Sequence, residues 1–160
     1  MTIEKFEWRK VLSVRSTPAG KGLFARKLFK KRQAIGHMNG TLIEGDDYDP
    51  DYVVDMGKWG VLDPKAPFRY LNHSCEPNCQ LLEWQSTKKA PPQIWVHAIR
   101  TVRPEDQLTI DYGWPADSAI PCLCGSPSCR GWVVDVSELH LVKKPKAKKK
   151  KPSVPRRKAA

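Results

Sequence analysis

Eleven residues, Arg69 to Cys79, read RYLNHSCEPNC and restrict the fold more than any other stretch of the chain. An arginine, two asparagines, a histidine and two cysteines stand in a segment closed by a Pro-Asn turn, more polar chemistry than a change of chain direction needs. Cys75 also wants partners, and three thiols lie downstream in PCLCGSPSC as Cys122, Cys124 and Cys129. The spacing C-x-C-x4-C on a loop of Gly, Pro and Ser suits a tetrahedral zinc ion, which thiolates from a loop can wrap. Three cysteines leave one ligand missing, and Cys75 or Cys79 must supply it. Either choice folds the C-terminal loop back onto the polar segment. Incidental core thiols are the alternative, but nothing in this loop has the pattern of a core.

At 160 residues the chain has the length of one domain that buries its own core without a disulfide staple. The first thirty residues are charged throughout and hold no apolar run long enough for a signal peptide or a membrane span. Five cysteines in that setting read as free or metal-bound thiols. The expected location is cytoplasmic, nuclear or nucleoid-associated, with no membrane partner. The net charge of +11 is unevenly spread: ten of the 28 Lys and Arg fall in 143–160 beside no acid, which leaves 18 basic against 17 acidic residues in 1–142. That tail of Lys, Pro and Ala is too poor in apolar surface to offset the entropy of ordering it, and is expected to be disordered when unbound. It reads equally as an arm that binds nucleic acid, as a nuclear address or as a solubility extension.

The body reads as mostly β. VLSVR is a short strand, STPAGKG a turn with Gly20 and Gly22, Leu23 to Ala25 a strand restart, and Ala34 to Glu44 a strand pair around Gly40. Alone, G-x-G is a hairpin loop and no nucleotide fingerprint. Asp46 to Asp51 is an acidic surface loop, and Tyr52 to Met56 and Gly60 to Asp63 are two more strands. No apolar period of 3.6 residues persists over three turns before residue 90, so helices should be few and brief. QIWVHAI alternates, with Ile94, Val96 and Ala98 on one face. QLTIDYG alternates too and turns Tyr112 the same way as Leu108 and Ile110, so its hydroxyl should be part-buried and need a partner.

Taken together and in order, GKGLFA, RYLNHSCEPNC, QLTIDYG and CLCGSPSCRGW resemble the SET-domain family of protein lysine methyltransferases with its post-SET zinc loop. The resemblance covers roughly residues 10–133, without a cysteine-rich segment ahead of the domain. It implies small curved β-sheets with a pseudoknot in which the NHSC segment and the strand before DYG thread together. It divides the chain into a SET domain (1–115), a post-SET zinc loop (116–135) and a linker with the basic tail (136–160). It further implies S-adenosylmethionine on one side, leaving as S-adenosylhomocysteine, and a substrate lysine entering a narrow channel from the other. By the same resemblance Gly20, Lys21, Gly22 and Leu23 match the first cofactor loop. Asn72 and His73 match the pair that holds the cofactor, with Arg69 beside them and Trp132 as a covering aromatic. Tyr112 matches the catalytic tyrosine. Cys75, Cys122, Cys124 and Cys129 match the zinc set, which leaves Cys79 a free thiol.

Departures from the family pattern fall at Met38 and Ile110, where hydroxyl-bearing or aromatic residues are frequent, and near Leu81. Fewer hydroxyls mean fewer hydrogen bonds restraining the amine. No general base stands out, and His37, His97 and His140 read as ordinary residues. The implied function is methyl transfer to lysine in histones or other basic, nucleic-acid-associated proteins. The alternative is a catalytically weak SET-like module that attaches to chromatin or nucleic acid through residues 143–160.

Overall fold

A computed structural model describes residues 7–143, and the basic tail read above as disordered lies outside the described residues. Its strands are β1 (Leu12–Thr17), β2 (Gly20–Ala25), β3 (Ala34–His37), β4 (Gly40–Ile43), β5 (Val54–Asp55), β6 (Val61–Pro64), β7 (Asn72–His73), β8 (Cys79–Trp84), β9 (Gln93–Ala98), β10 (Gln107–Ile110), β11 (Ile120–Pro121) and β12 (Trp132–Val133). The helical elements among the described residues are short 3-10 turns, as the missing 3.6-residue period requires. None is long and apolar enough to cross a membrane.

The strands form four small sheets, ordered β1-β2-β10-β7, β3-β9-β8, β4-β6-β5 and β11-β12. All pairings are antiparallel except one: β10 runs parallel to β7, with Thr109 opposite Asn72 and Ile110 opposite His73. This is the expected threading of the NHSC segment beside the strand before DYG. Alternation predicts the buried face well. Ile94, Val96 and Ala98 of β9 are at most 2% exposed and join Leu12, Leu23, Phe29 and Leu108 in one core. Each such side chain contributes about 1.5–3 kcal/mol by leaving water.

Two local expectations need correction. The hairpin turn is only Pro18-Ala19, because Thr17 pairs with Gly20, so Gly20 and Gly22 lie in β2. Gly20 has φ +104 and open space around it, whereas Gly22 is set by crowding: a Cβ there would stand 2.6 Å from Gln107 Nε2 and 2.7 Å from Thr17 Cγ2. Ala34 to Glu44 is no hairpin, since β3 pairs with β9 and β4 with β6. Local patterning shows that a strand exists but not which distant strand completes its hydrogen bonds.

Asn78 stitches this fold together. It is 7% exposed, its Nδ2 donates to Gln107 O at 2.8 Å, and its Oδ1 accepts from Thr109 N at 2.9 Å. Its carboxamide therefore stands in for a missing strand along β10. Asn78→Ala leaves a buried N–H and a buried C=O without partners, and should lower unfolding stability by about 2–4 kcal/mol. A loss under about 0.5 kcal/mol in denaturant titration would show that water or a backbone shift takes over both bonds.

Candidate active site and metal centre

Tyr112 lies just after β10. Its phenol donates to Leu71 O at 2.8 Å, and its ring packs against His73 (centroids 5.4 Å apart) and Trp114 (5.2 Å). This is the partner that the alternation of QLTIDYG demanded. Burial, helped by Tyr52 and Asp51, pushes the phenol up to about 12, so it is a neutral hydrogen-bonding group at physiological pH.

Beside it opens a cavity of about 600 Å³. Met38, Leu71, Leu81 and Ile110 supply apolar wall, and Tyr48, Asp51, Tyr52, Asp55 and Tyr112 supply the polar part. The three departures noted in the sequence thus sit around one space with the tyrosine. Arg69 lines this cavity too. Its guanidinium pairs with Asp63, donates to Pro64 O at 3.2 Å and stacks 4.1 Å from the Tyr52 ring centroid. Arg69 thus stands in the cavity wall, three residues before Asn72 along the chain.

Asn72 and the glycine strand do meet. Asn72 Nδ2 donates to Lys21 O at 3.1 Å, and the Lys21 ammonium lies 5.5 Å from the Tyr70 ring centroid. Among the described residues the other end of the Asn72 carboxamide accepts no hydrogen bond, which leaves a half-buried acceptor, and its Nδ2 stands 3.2 Å from where a Cβ on Gly22 would lie. A cationic donor with polar ends fits such a corner. Leu23 is fully buried in the core, so only its main chain can face a ligand.

His73 is used up inside the protein. Its side chain is 4% exposed, Nδ1 accepts from Tyr112 N at 3.2 Å, and Nε2 stands 3.4 Å from Cys75 Sγ. An Nδ1 that accepts a main-chain N–H assigns the ring as neutral with its proton on Nε2. Burial lowers its pKa in agreement, Asp111 opposes this and Arg130 adds to it. Any contact of His73 with a ligand therefore falls to its main chain.

The four cysteines gather. The sulfurs of Cys75, Cys122, Cys124 and Cys129 all lie within 4.8 Å of one another, with Cys75 and Cys122 3.8 Å apart. Tetrahedral coordination with bonds of about 2.3 Å places sulfurs about 3.8 Å apart, so the set fits an ion such as zinc. Main-chain N–H groups of Arg130, Cys124 and Gly131 point at Cys75, Cys122 and Cys129 at 3.3–3.4 Å, an arrangement that favours thiolates. Cys79 is elsewhere, 1% exposed in the core, its thiol pushed up to about 12 by burial. β11 and β12 close the loop, and Glu76 Oε1 ties it back by accepting from the Ser128 N–H (3.0 Å) and hydroxyl. Trp132 lines a second cavity of about 740 Å³ with Pro115, Pro121 and Leu141.

Residues 20–113 match the family model described as SET domain, which covers more than half of the chain. The chain belongs to the SET-domain family. Among curated relatives, a "Histone-lysine N-methyltransferase, H3 lysine-4 specific" of Schizosaccharomyces pombe is 38% identical over 96 residues, 56% of this chain and 10% of that protein. The human "Histone-lysine N-methyltransferase SETD1B" is 37% identical over 111 residues, 62% of this chain and 5% of its own length. This SET domain thus spans a tenth or less of these two relatives. Among solved structures, KRYPTONITE in complex with mCHH DNA, an H3(1-15) peptide and SAH superposes with a TM-score of 0.68 at 23% identity, over 76% of this chain and 29% of that one. That likeness shows the fold: the mostly β architecture is the SET architecture.

Reading the sequence singled out Tyr112, Asn72 and the cysteines, but missed Asn78, Asp111, Arg130 and the Glu76–Ser128 tie. The Asn in the Pro-Asn turn and the Asp in DYG carried a signal only in hindsight of their partners, which lie 29 and 19 residues away along the chain.

Proposed function

We propose that this SET domain is an S-adenosylmethionine-dependent protein-lysine N-methyltransferase acting on histones or other basic proteins. The observation that carries it is the neutral phenol of Tyr112, pinned on Leu71 O in the wall of the cavity of about 600 Å³. The names of the matched relatives agree.

In this reading 1–115 is the SET domain, 116–135 the zinc loop and 136–160 the linker and tail. Bound S-adenosylmethionine supplies an electrophilic methyl on a sulfonium. Main-chain groups of Gly20, Lys21, Gly22, Leu23 and His73 and the carboxamide of Asn72 hold that donor, and Trp132 covers it if the loop closes further. The target lysine comes through the cavity of Met38, Leu81 and Ile110, whose apolar walls exclude water and favour the neutral amine that can attack. Tyr112 orients that amine, and orientation in a dry channel supplies most of the rate. Cys75, Cys122, Cys124 and Cys129 hold a structural zinc. Asp51 and Asp55 at the cavity suit a basic peptide.

Incubation with labelled cofactor and a panel of basic proteins, followed by site mapping, tests the reading. Transfer to lysine is expected, with Asn72→Ala weakening cofactor binding at least tenfold. A wild-type chain that binds the cofactor yet modifies no lysine would end it.

The basic composition of 143–160 suits nucleic acid as an additional partner, and a nuclear or nucleoid location with it. If about six tail charges neutralise phosphates, affinity falls roughly a thousandfold between 50 and 200 mM salt. Deleting 143–160 should abolish that binding and leave methyl transfer to a short peptide unchanged. Equal DNA affinity without the tail would remove this partner.

A further inference from the structure

Arg130 is left without a role by the reading above, although it touches both of its halves. It follows Cys129, the last cysteine of the loop, and its main-chain N–H donates to Cys75 Sγ at 3.3 Å. Its guanidinium forms a two-pronged pair with Asp111, Nη1 to Oδ2 at 2.7 Å and Nη2 to Oδ1 at 2.8 Å. Asp111 immediately precedes Tyr112 and also accepts from Gly113 N at 3.1 Å, so it shapes the turn that aims the phenol. The Arg130 side chain is 12% exposed, and its Nε–H is buried with no hydrogen-bond partner among the described residues. Burying a guanidinium with a donor unmet is unfavourable, and the two bonds to Asp111 must outweigh that penalty for the fork to stay in place.

Cys75 is therefore a hub with two arms. One runs through His73 to the Tyr112 N–H, the other through Arg130 to the Asp111 carboxylate. We propose that Arg130 is a positioning residue which, by gripping Asp111, makes the aim of Tyr112 conditional on a closed, metal-filled thiol loop. The catalytic arm of this proposal rests on the methyltransferase reading; the metal arm does not. A fork is needed because both ends are directional: lysine can supply the charge but not two parallel bonds.

The test uses the full chain loaded with zinc and four variants: Arg130→Lys, Arg130→Gln, Asp111→Asn and the Arg130→Gln/Asp111→Asn double. Each is expected to keep one zinc per chain and a cooperative thermal transition, which controls for folding. Zinc release to a competing chelator should quicken at least threefold in Arg130→Gln and in Asp111→Asn, and the double should be no faster than the worse single. Asp111 touches no sulfur, so its effect on the metal has to travel through a neighbour. kcat should fall ten- to a hundredfold with the peptide KM within about twofold, again without further loss in the double, and Arg130→Lys should fall between wild type and Arg130→Gln.

Unchanged zinc release in Asp111→Asn would overturn the proposal, as would a wild-type chain that binds no zinc. An Asp111→Asn effect that persists in full on the Arg130→Gln background would assign the link to His73 instead, since additivity means independent routes. A raised KM at constant kcat would make Arg130 a mere surface charge for the peptide. If wild type methylates no lysine, the enzyme reading fails, and coupled zinc release in the double cycle still decides whether Arg130 and Asp111 act as one unit.

Discussion

Tyr112→Phe should lower methyl transfer to lysine by about a hundredfold or more while leaving the fold in place. The ring is held by His73 and Trp114, and phenylalanine keeps both contacts. Only the hydroxyl disappears, and with it the bond to Leu71 O, at a stability penalty of about 1–3 kcal/mol for the unmet carbonyl. The kinetic loss is larger because a misaimed amine forfeits orientation, the main source of rate in this chemistry. Peptide KM should change little. The pH profile separates this role from general base catalysis. A tyrosine raised from about 10 to about 12 contributes stability that is fully present below pH 10 and is lost as pH climbs through 12. Between about pH 7 and 9.5 the phenol therefore does not titrate. The rate should rise with pH as the substrate amine loses its proton, with the same slope in wild type and Tyr112→Phe. A wild-type limb in that window which vanishes in the phenylalanine variant would mean that Tyr112 works by losing its proton, and the orienting role would be wrong.

What the sequence showed and what it hid divide along one physical line. Chemistry carried by residue type at short spacing was readable: the Cys122, Cys124 and Cys129 loop, the demand of Cys75 for partners, the buried face of Ile94, Val96 and Ala98, the inward turn of Tyr112. Each follows from alternation or from ligand geometry, which are local. Pairing between distant strands was not readable. β3 and β4 look like one hairpin because nothing in Ala34 to Glu44 names β9 or β6 as partner. Gly22 passes for a turn glycine because the crowding that requires it comes from Gln107, 85 positions on. The side chains that lock the site, Asn78, Asp111 and Arg130, are common surface residue types. They acquire their roles only through distant partners: Asn78 along β10, and Arg130 of the cysteine loop on Asp111.

Cys122→Ser should release the metal, loosen residues 116–135 and abolish activity together. Val133 and Val134 at its end are buried, but beyond the sulfurs the ties of the rest of the loop include two residue pairs between β11 and β12, the exposed Glu76–Ser128 tie and the Arg130–Asp111 pair. Such contacts contribute about 1 kcal/mol or less each, whereas a structural zinc site supplies on the order of ten. Without the ion, nothing bonds the four sulfurs that lie within 4.8 Å of one another, and the loop opens. Protease sites in 116–135 should then be cut at least tenfold faster, while the core of Leu12, Leu23, Val96 and Leu108 keeps a cooperative, lower-melting transition. Chelation of wild type should reproduce the same state. Cys79→Ala supplies the contrast: the site sits in the core, so zinc content stays at one per chain and the penalty is about 1–2 kcal/mol of packing. Full zinc content in Cys122→Ser, or its loss in Cys79→Ala, would show that the four sulfurs have been assigned to the wrong ion site.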